Sequence, residues 1–181
     1  MKLNKLIAIA TISLLSGGIS MAQKALNLED IVAGNVIQTK GIGSMTWLKD
    51  GERYSRLENN KQTGGTDIVA YQAKDNSREV IIPSSLLTDK STGKPIPARS
   101  ISWSADNKKV LIYNNTQRVW RYDTRGDYWV LNLKDGALRQ LGKGMPESSM
   151  MFAKFSPDGT RVAYVSNNNI YVEDIDSGKI T

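Results

Sequence analysis

The chain has 181 residues, 24 of them Lys or Arg and 18 Asp or Glu, and it contains neither Cys nor His. No disulfide can form within it, and a Ser-His-Asp triad, a Cys-His pair, a His-ligated zinc site and a histidine general base are all excluded among these residues. The basic residues are spread along the chain and interleaved with acids, a pattern that argues against nucleic acid as a partner.

Residues 1–22 have the three parts of a secretory signal: Lys2 and Lys5, an apolar run from Leu6 to Leu15, and Ser20-Met21-Ala22 ahead of Gln23. Export to the periplasm or the medium is expected, with cleavage after Ala22. A retained anchor needs about 20 apolar residues, and Ser13, Ser16, Gly17 and Gly18 interrupt this run, so no stable membrane span is expected after cleavage. Residues 23–181 then form one domain with a net charge of +4, because Lys2 and Lys5 are removed with the signal and no acid precedes Gln23. That length suffices for a real core.

"ALNLEDIVAG" at residues 25–34 suits a short helix, with Asn27 as N-cap and Glu29 and Asp30 in the first turn. After it, three segments align without gaps: "WLKDGERYSRL" from Trp47, "WSADNKKVLIY" from Trp103 and "FSPDGTRVAYV" from Phe155. Each starts with an aromatic, places Asp three residues later (Asp50, Asp106, Asp158), and follows it with Gly51, Asn107 or Gly159. An aromatic-led strand, a turn that needs a small or turn-forming residue, and a return strand make a hairpin. Trp47, Trp103 and Phe155 are expected in the core.

A second apolar run follows each return strand: "DIVAY" from Asp67, "DYWVLNL" from Asp127 and "NIYVEDI" from Asn169. A turn comes next, at Lys74 to Ser77, Lys134 to Gly136 and Asp176 to Gly178, and then a short strand such as "REVII" or "ALRQL". Four strands per unit at about 50 residues is the period of β-propeller blades. The predicted class is therefore all-β, a partial propeller of about three four-stranded blades behind a signal peptide and a short helix. A β-sandwich is the alternative. Closed propellers take about four to eight blades, and the third unit stops at Ile180-Thr181 where its last strand should start. The sequence thus reads as the N-terminal part of a longer protein. "PSSLLTDKSTGKPIP", from Pro83 to Pro97, is expected to be an exposed connection without a role. "EDIDSG" from Glu173 reads as a turn, since no D-x-[DN]-x-[DN]-G loop is present, and neither a metal nor a cofactor is expected.

The leader "LNLEDIVAG", the "WSADNKKVLIY" hairpin, the "VWRYDTRGDYWVLNL" stretch and the "FSPDGTRVAYVSNNNIYV" hairpin, in this order and spacing, resemble the start of the dipeptidyl peptidase IV group of prolyl oligopeptidase-type serine peptidases. The match runs from about Ala25 to the end. The resemblance implies an N-terminal propeller joined to a C-terminal α/β-hydrolase domain with a Ser-Asp-His triad, and removal of X-Pro or X-Ala dipeptides from peptide N-termini. Its implied partners are a peptide with a free N-terminus and that missing hydrolase domain, and it allows a homodimer of the full-length protein. The family also uses two adjacent propeller glutamates to hold the substrate ammonium, and no Glu-Glu pair occurs in residues 1–181.

The resemblance further implies that Arg121, in the Trp120-Arg121 pair, holds substrate oxygens in the central cavity. A guanidinium suits that task because its fixed fork donates two charge-assisted hydrogen bonds. The competing reading makes Arg121 a strand-end arginine paired with Asp123 or Asp127, or lying over Trp120. Arg118 and Arg125 match no family role and read as solvated surface charges. The isolated chain is expected to lack peptidase activity, and its unclosed sheets should make it poorly soluble or dependent on a partner. A non-catalytic envelope propeller that binds a protein or glycan is the other functional reading, because fold does not fix function.

Overall fold

The computed structural model describes residues 27–32, 41 and 43–181, and the signal segment lies outside them. The chain divides into two units, 1–41 and 42–181. In the first, a short helix α1 (Leu28–Val32) is present where the sequence predicts one; its Ile31 N–H donates to the Asn27 carbonyl at 3.3 Å. No described helix is long and apolar enough to cross a membrane.

The second unit is a succession of antiparallel meanders. The first sheet runs β1 (Met45–Trp47), β2 (Arg53–Asn59), β3 (Thr66–Gln72) and β4 (Arg78–Ile82) in chain order. A connection follows that carries a 3-10 turn (Ser84–Leu87) and a short hairpin, β5 (Thr88–Asp89) with β6 (Lys94–Pro95). The second sheet is β7 (Ser100–Trp103), β8 (Lys109–Val119), β9 (Tyr122–Asn132) and β10 (Ala137–Gln140). The third is β11 (Met151–Phe155), β12 (Arg161–Ser166) and β13 (Asn169–Asp174), with an isolated antiparallel bridge between Glu173 and Ile180.

The aligned hairpins of the sequence are one structure repeated three times. In each, the residue after the aromatic bonds across the turn: Leu48 N to Arg53 O at 2.9 Å, Ser104 N to Lys109 O at 3.0 Å, and Ser156 N to Arg161 O at 2.8 Å. The residue after the shared Asp has a left-handed backbone, with φ of 71° at Gly51, 55° at Asn107 and 68° at Gly159. Gly and Asn tolerate that conformation at little cost, which is why only these two types occur there.

Alternation along the second sheet divides the interior in two. Val110, Ile112 and Leu131 join Ile68 and Ile82 of the first sheet in one core cluster. Leu111, Tyr128 and Val130 point the other way, into a cluster with Val162 and Tyr164 of the third sheet. A sheet with both faces buried between neighbouring sheets is the arrangement of a propeller blade rather than of a two-layer sandwich, where one face of each sheet meets solvent.

Two sequence expectations are corrected here. The connection from Pro83 to Pro97 is not merely solvated: Leu87 is fully buried and Ile96 3% exposed, both in the cluster between the first two sheets, and the Ile96 N–H donates to the Leu87 carbonyl at 2.7 Å. The next connection repeats this with Leu141 and Met150. Apolar residues in a loop between twisted sheets fill the gap the sheets leave, and strand periodicity carries no signal for them. The second correction concerns Trp47. Trp103 and Phe155 pack half-buried against the two cores, and Trp103 Nε1 donates to Ser55 Oγ of the first sheet at 3.0 Å. Trp47, by contrast, is 56% exposed, edge-on to Tyr54. It lies on the face of the first sheet turned away from the second, and the described residues supply no sheet to cover it.

Candidate functional site

The strands β8 and β9 have 11 residues each, against seven for β2 and β3 and six for β12 and β13. The extra length forms an arm that leaves the blade after the Asn114–Asp127 pair. Two register shifts, between Asn114 and Gln117 and between Gln117 and Arg118, bend it, and Asn115 takes φ 44° at the first. Bulges of this kind re-aim side chains. Val119 pairs with Tyr122, so the turn at the tip is Trp120-Arg121.

Trp120 has φ 61° and is 94% exposed. A bulky residue in the left-handed region stores about 1–3 kcal/mol of strain, and such strain concentrates at functional sites. Neither burial nor packing among the described residues rewards it here.

The base of the arm is fixed by Tyr113. Its hydroxyl donates to the carbonyls of Asp123 at 3.1 Å and Arg125 at 2.8 Å, and its ring stacks on Tyr128 with centroids 4.8 Å apart. Burial pushes the Tyr113 hydroxyl up to about 12, helped by the neighbouring Tyr128 and Asp123. It stays a neutral donor throughout the physiological range.

Beside the arm lies a cleft of about 570 Å³ walled by Arg99, Tyr113, Arg118, Arg121, Tyr122 and Asp123, with Ser44 and Ser100 at its edge. Arg121, the residue singled out from the sequence, is on this wall. The pairings considered for it are taken up by other groups: the Asp123 carboxylate is 3.4 Å from Arg99 Nη2, and Asp127 accepts from the Ser148 N–H at 2.8 Å and from Asn115 Nδ2 at 2.7 Å. Among the described residues the Arg121 guanidinium has no ion-pair partner. Its carbonyl accepts from Arg118 Nη2 at 3.4 Å.

Arg118, which reads from the sequence as a solvated surface charge, lines the same cleft, and so does Arg99, which the sequence did not single out. Arg118 lies three residues before Arg121, just ahead of the turn that holds it, a spacing that brings both to one tip, so a signal existed. Arg99 gave none; it reaches the site because its N–H donates to the Tyr113 carbonyl at 2.8 Å, which carries the β7–β8 pairing one step further. Arg125 is exposed and lies outside the cleft wall. Among the described residues no group of acids with metal-binding geometry occurs.

Successive meanders of four, four and three strands, each buried against the next, define residues 43–181 as part of a β-propeller. Residues 104–181 match the family described as the dipeptidyl peptidase IV N-terminal region. The chain is 25% identical over 174 residues to the probable dipeptidyl-aminopeptidase B of Aspergillus terreus, covering 91% of this chain and 19% of that protein. It is 28% identical over 160 residues to the probable dipeptidyl-aminopeptidase B of Tuber melanosporum, with coverage of 85% and 17%. The crystal structure of Porphyromonas gingivalis dipeptidyl peptidase 4 superposes with a TM-score of 0.68 at 21% identity, over 88% of this chain and 22% of that one, and shares its fold. The chain is therefore similar to the N-terminal region of the dipeptidyl peptidase IV family, and it spans about a fifth of the length of these relatives.

Proposed function

We propose that this chain is the recognition and access part of an exported serine peptidase that removes X-Pro or X-Ala dipeptides from peptide N-termini. The observation that carries this reading is Arg121: held at the tip of a bent arm, beside a strained Trp120, and free of any carboxylate partner among the described residues. A guanidinium so presented can give two charge-assisted hydrogen bonds to the carbonyl oxygens of a bound peptide. The names of the relatives support a dipeptide-removing activity.

The chemistry would be acyl transfer through a serine ester. With no His in these 181 residues, the general base comes from outside them, from the α/β-hydrolase domain the resemblance implies. A propeller above such a domain admits narrow peptide ends and excludes folded proteins, so selection is steric as well as polar.

The test is Arg121→Ala in the full-length protein, assayed on X-Pro and X-Ala amides. The expected result is a fall in kcat/KM of about 10- to 100-fold with unchanged thermal unfolding. An unchanged kcat/KM removes Arg121 from the site. A wild-type protein that cleaves none of these amides leaves instead a non-catalytic envelope propeller that binds a protein or glycan.

A further inference from the structure

The two large concavities of the second unit differ in how their charges are used. In the cavity of about 600 Å³ walled by Arg139, Lys143 and Glu173 the arginine is compensated: Arg139 Nη2 lies 3.3 Å from Glu173 Oε1 and donates to the Asp174 carbonyl at 3.1 Å, which leaves a net charge of +1 from Lys143. The arm cleft carries more. Three guanidiniums, Arg99, Arg118 and Arg121, face one carboxylate, Asp123, so its described wall carries a net charge of +2.

The donors tell the same story. A guanidinium has five N–H donors. Among the described residues none of those on Arg121 meets a protein acceptor, and only one on Arg118 does, over a long 3.4 Å contact. Like charges on one wall repel, and an isolated fold gains nothing from the arrangement. A ligand carboxylate removes the repulsion and satisfies the donors together, whereas the peptide carbonyl assigned to Arg121 needs only one guanidinium.

Tyr113 and Tyr122 complete the wall. The Tyr113 hydroxyl is already committed to two backbone carbonyls, so it is not a free donor that would draw a neutral ligand. The polar selectivity of this wall therefore rests on its arginines.

We propose that Arg118 and Arg99 extend the Arg121 site into an anion-selecting subsite, which favours peptides that bring a carboxylate into the arm cleft. That carboxylate has two sources: an Asp or Glu side chain near the peptide N-terminus, or the free C-terminus of a very short peptide. The proposal deepens the reading of Arg121 as a peptide contact and rests on it.

Four peptides separate the cases: Gln-Pro-Ala-amide, Glu-Pro-Ala-amide, Ala-Pro-Ala-amide and Ala-Pro-Ala with a free C-terminus. In the full-length protein, kcat/KM should favour Glu over Gln, or the free acid over its amide, by about tenfold at low salt, which is what one or two screened charge-assisted contacts supply. The pair that shows the preference identifies the source. Raising the ionic strength to about 0.5 M should shrink it, since the Debye length then falls well below 10 Å. Arg118→Gln should bring the ratio close to one, and Arg118→Glu should invert it, an outcome that a structural role for Arg118 would not produce.

Ratios within twofold of one for both pairs in the wild type, or a preference untouched by Arg118→Glu, overturn the proposal. If no peptide is cleaved, the peptidase reading fails by itself. The same four peptides are then compared by calorimetric binding, where an Arg118-dependent preference for the anionic member upholds the subsite and equal binding or no binding refutes it.

Discussion

The Asp127 carboxylate accepts the backbone N–H of Ser148 at 2.8 Å, which ties the middle of β9, where the arm joins the blade, to the connection that leaves the same blade. Asp67 does the same for Ser84 at 2.7 Å, one blade earlier. In both, the second carboxylate oxygen is held by an asparagine, Asn115 at 2.7 Å and Asn60 at 3.0 Å. Both aspartates are more than nine-tenths buried. This latch, repeated in two blades, sets where each connection turns toward the next sheet.

Asp127→Ala should therefore destabilise the fold by about 2–3 kcal/mol, because it removes charge-assisted bonds and leaves the buried Ser148 N–H without an acceptor. Asp127→Asn, which retains one acceptor oxygen, should cost less. Urea denaturation of the three proteins in parallel checks the order; an Ala variant as stable as wild type would show that the latch is dispensable.

Gly126 bridges the arm to the same connection through bonds in both directions with Met150, at 3.0 and 3.1 Å. A Cβ there would press into the Tyr113 ring and stand 2.6 Å from the Asn114 carbonyl. Gly126→Ala should cost about 1–3 kcal/mol by overpacking, and under the proposed peptidase function it should lower kcat/KM of the full-length protein by displacing Tyr113 and the arm. Thermal unfolding and kcat/KM measured together test this; a variant with both unchanged would show that the arm base yields freely.

Glu173 occupies the position that Leu131 holds in the preceding blade, since each pairs with the first valine of its return strand, Val162 and Val110. The carboxylate is buried and accepts from Gly142 N at 2.8 Å and Tyr164 Oη at 3.1 Å, with Arg139 at 3.3 Å. Glu173→Ala should cost about 3–5 kcal/mol by leaving these donors unpaired. The double variant Glu173→Leu with Arg139→Met should recover much of that loss, as apolar replacements of buried ion pairs commonly do. Stability of the double variant no better than that of the single Ala variant would contradict the argument.

The repeated turns predict the acid limit. Hydrogen bonds hold the carboxyls of Asp50, Asp106 and Asp158 below the usual value: from Arg53 foremost at Asp50, from Ser104 at Asp106 and from Ser156 at Asp158. A carboxyl depressed in the folded state contributes stability that is complete above the unfolded value of about 4. That stability is lost as pH falls through the folded value. Asn at all three positions should flatten the fall in unfolding free energy below about pH 4; a slope equal to that of wild type would place the acid sensitivity elsewhere.

At the alkaline end, Tyr113 has the opposite sign. Its hydroxyl is raised to about 12 by burial, so its contribution is present below about pH 10 and is lost as pH rises through about 12. Phenolate absorbance of wild type against Tyr113→Phe should differ by one tyrosine that titrates late.

Local chemistry made much of this protein readable from sequence alone. Hairpins, their Asp-led turns and the count of strands follow from period-two alternation and from residues that tolerate a left-handed backbone, all set within a few positions of one another. Arg121 was legible only through resemblance, since nothing local marks an arginine at a hairpin tip as a ligand group. What the tertiary structure decided is everything that depends on two sheets meeting. Leu87 and Ile96 enter a core that exists only between blades, and Trp47 stays exposed because no described sheet covers its face. Arg99 and Arg118 share a cleft with Arg121 because two bulges bend the arm that carries the latter pair. Packing and electrostatics between distant segments have no period in the sequence, and that is why only the fold could bring these charges together.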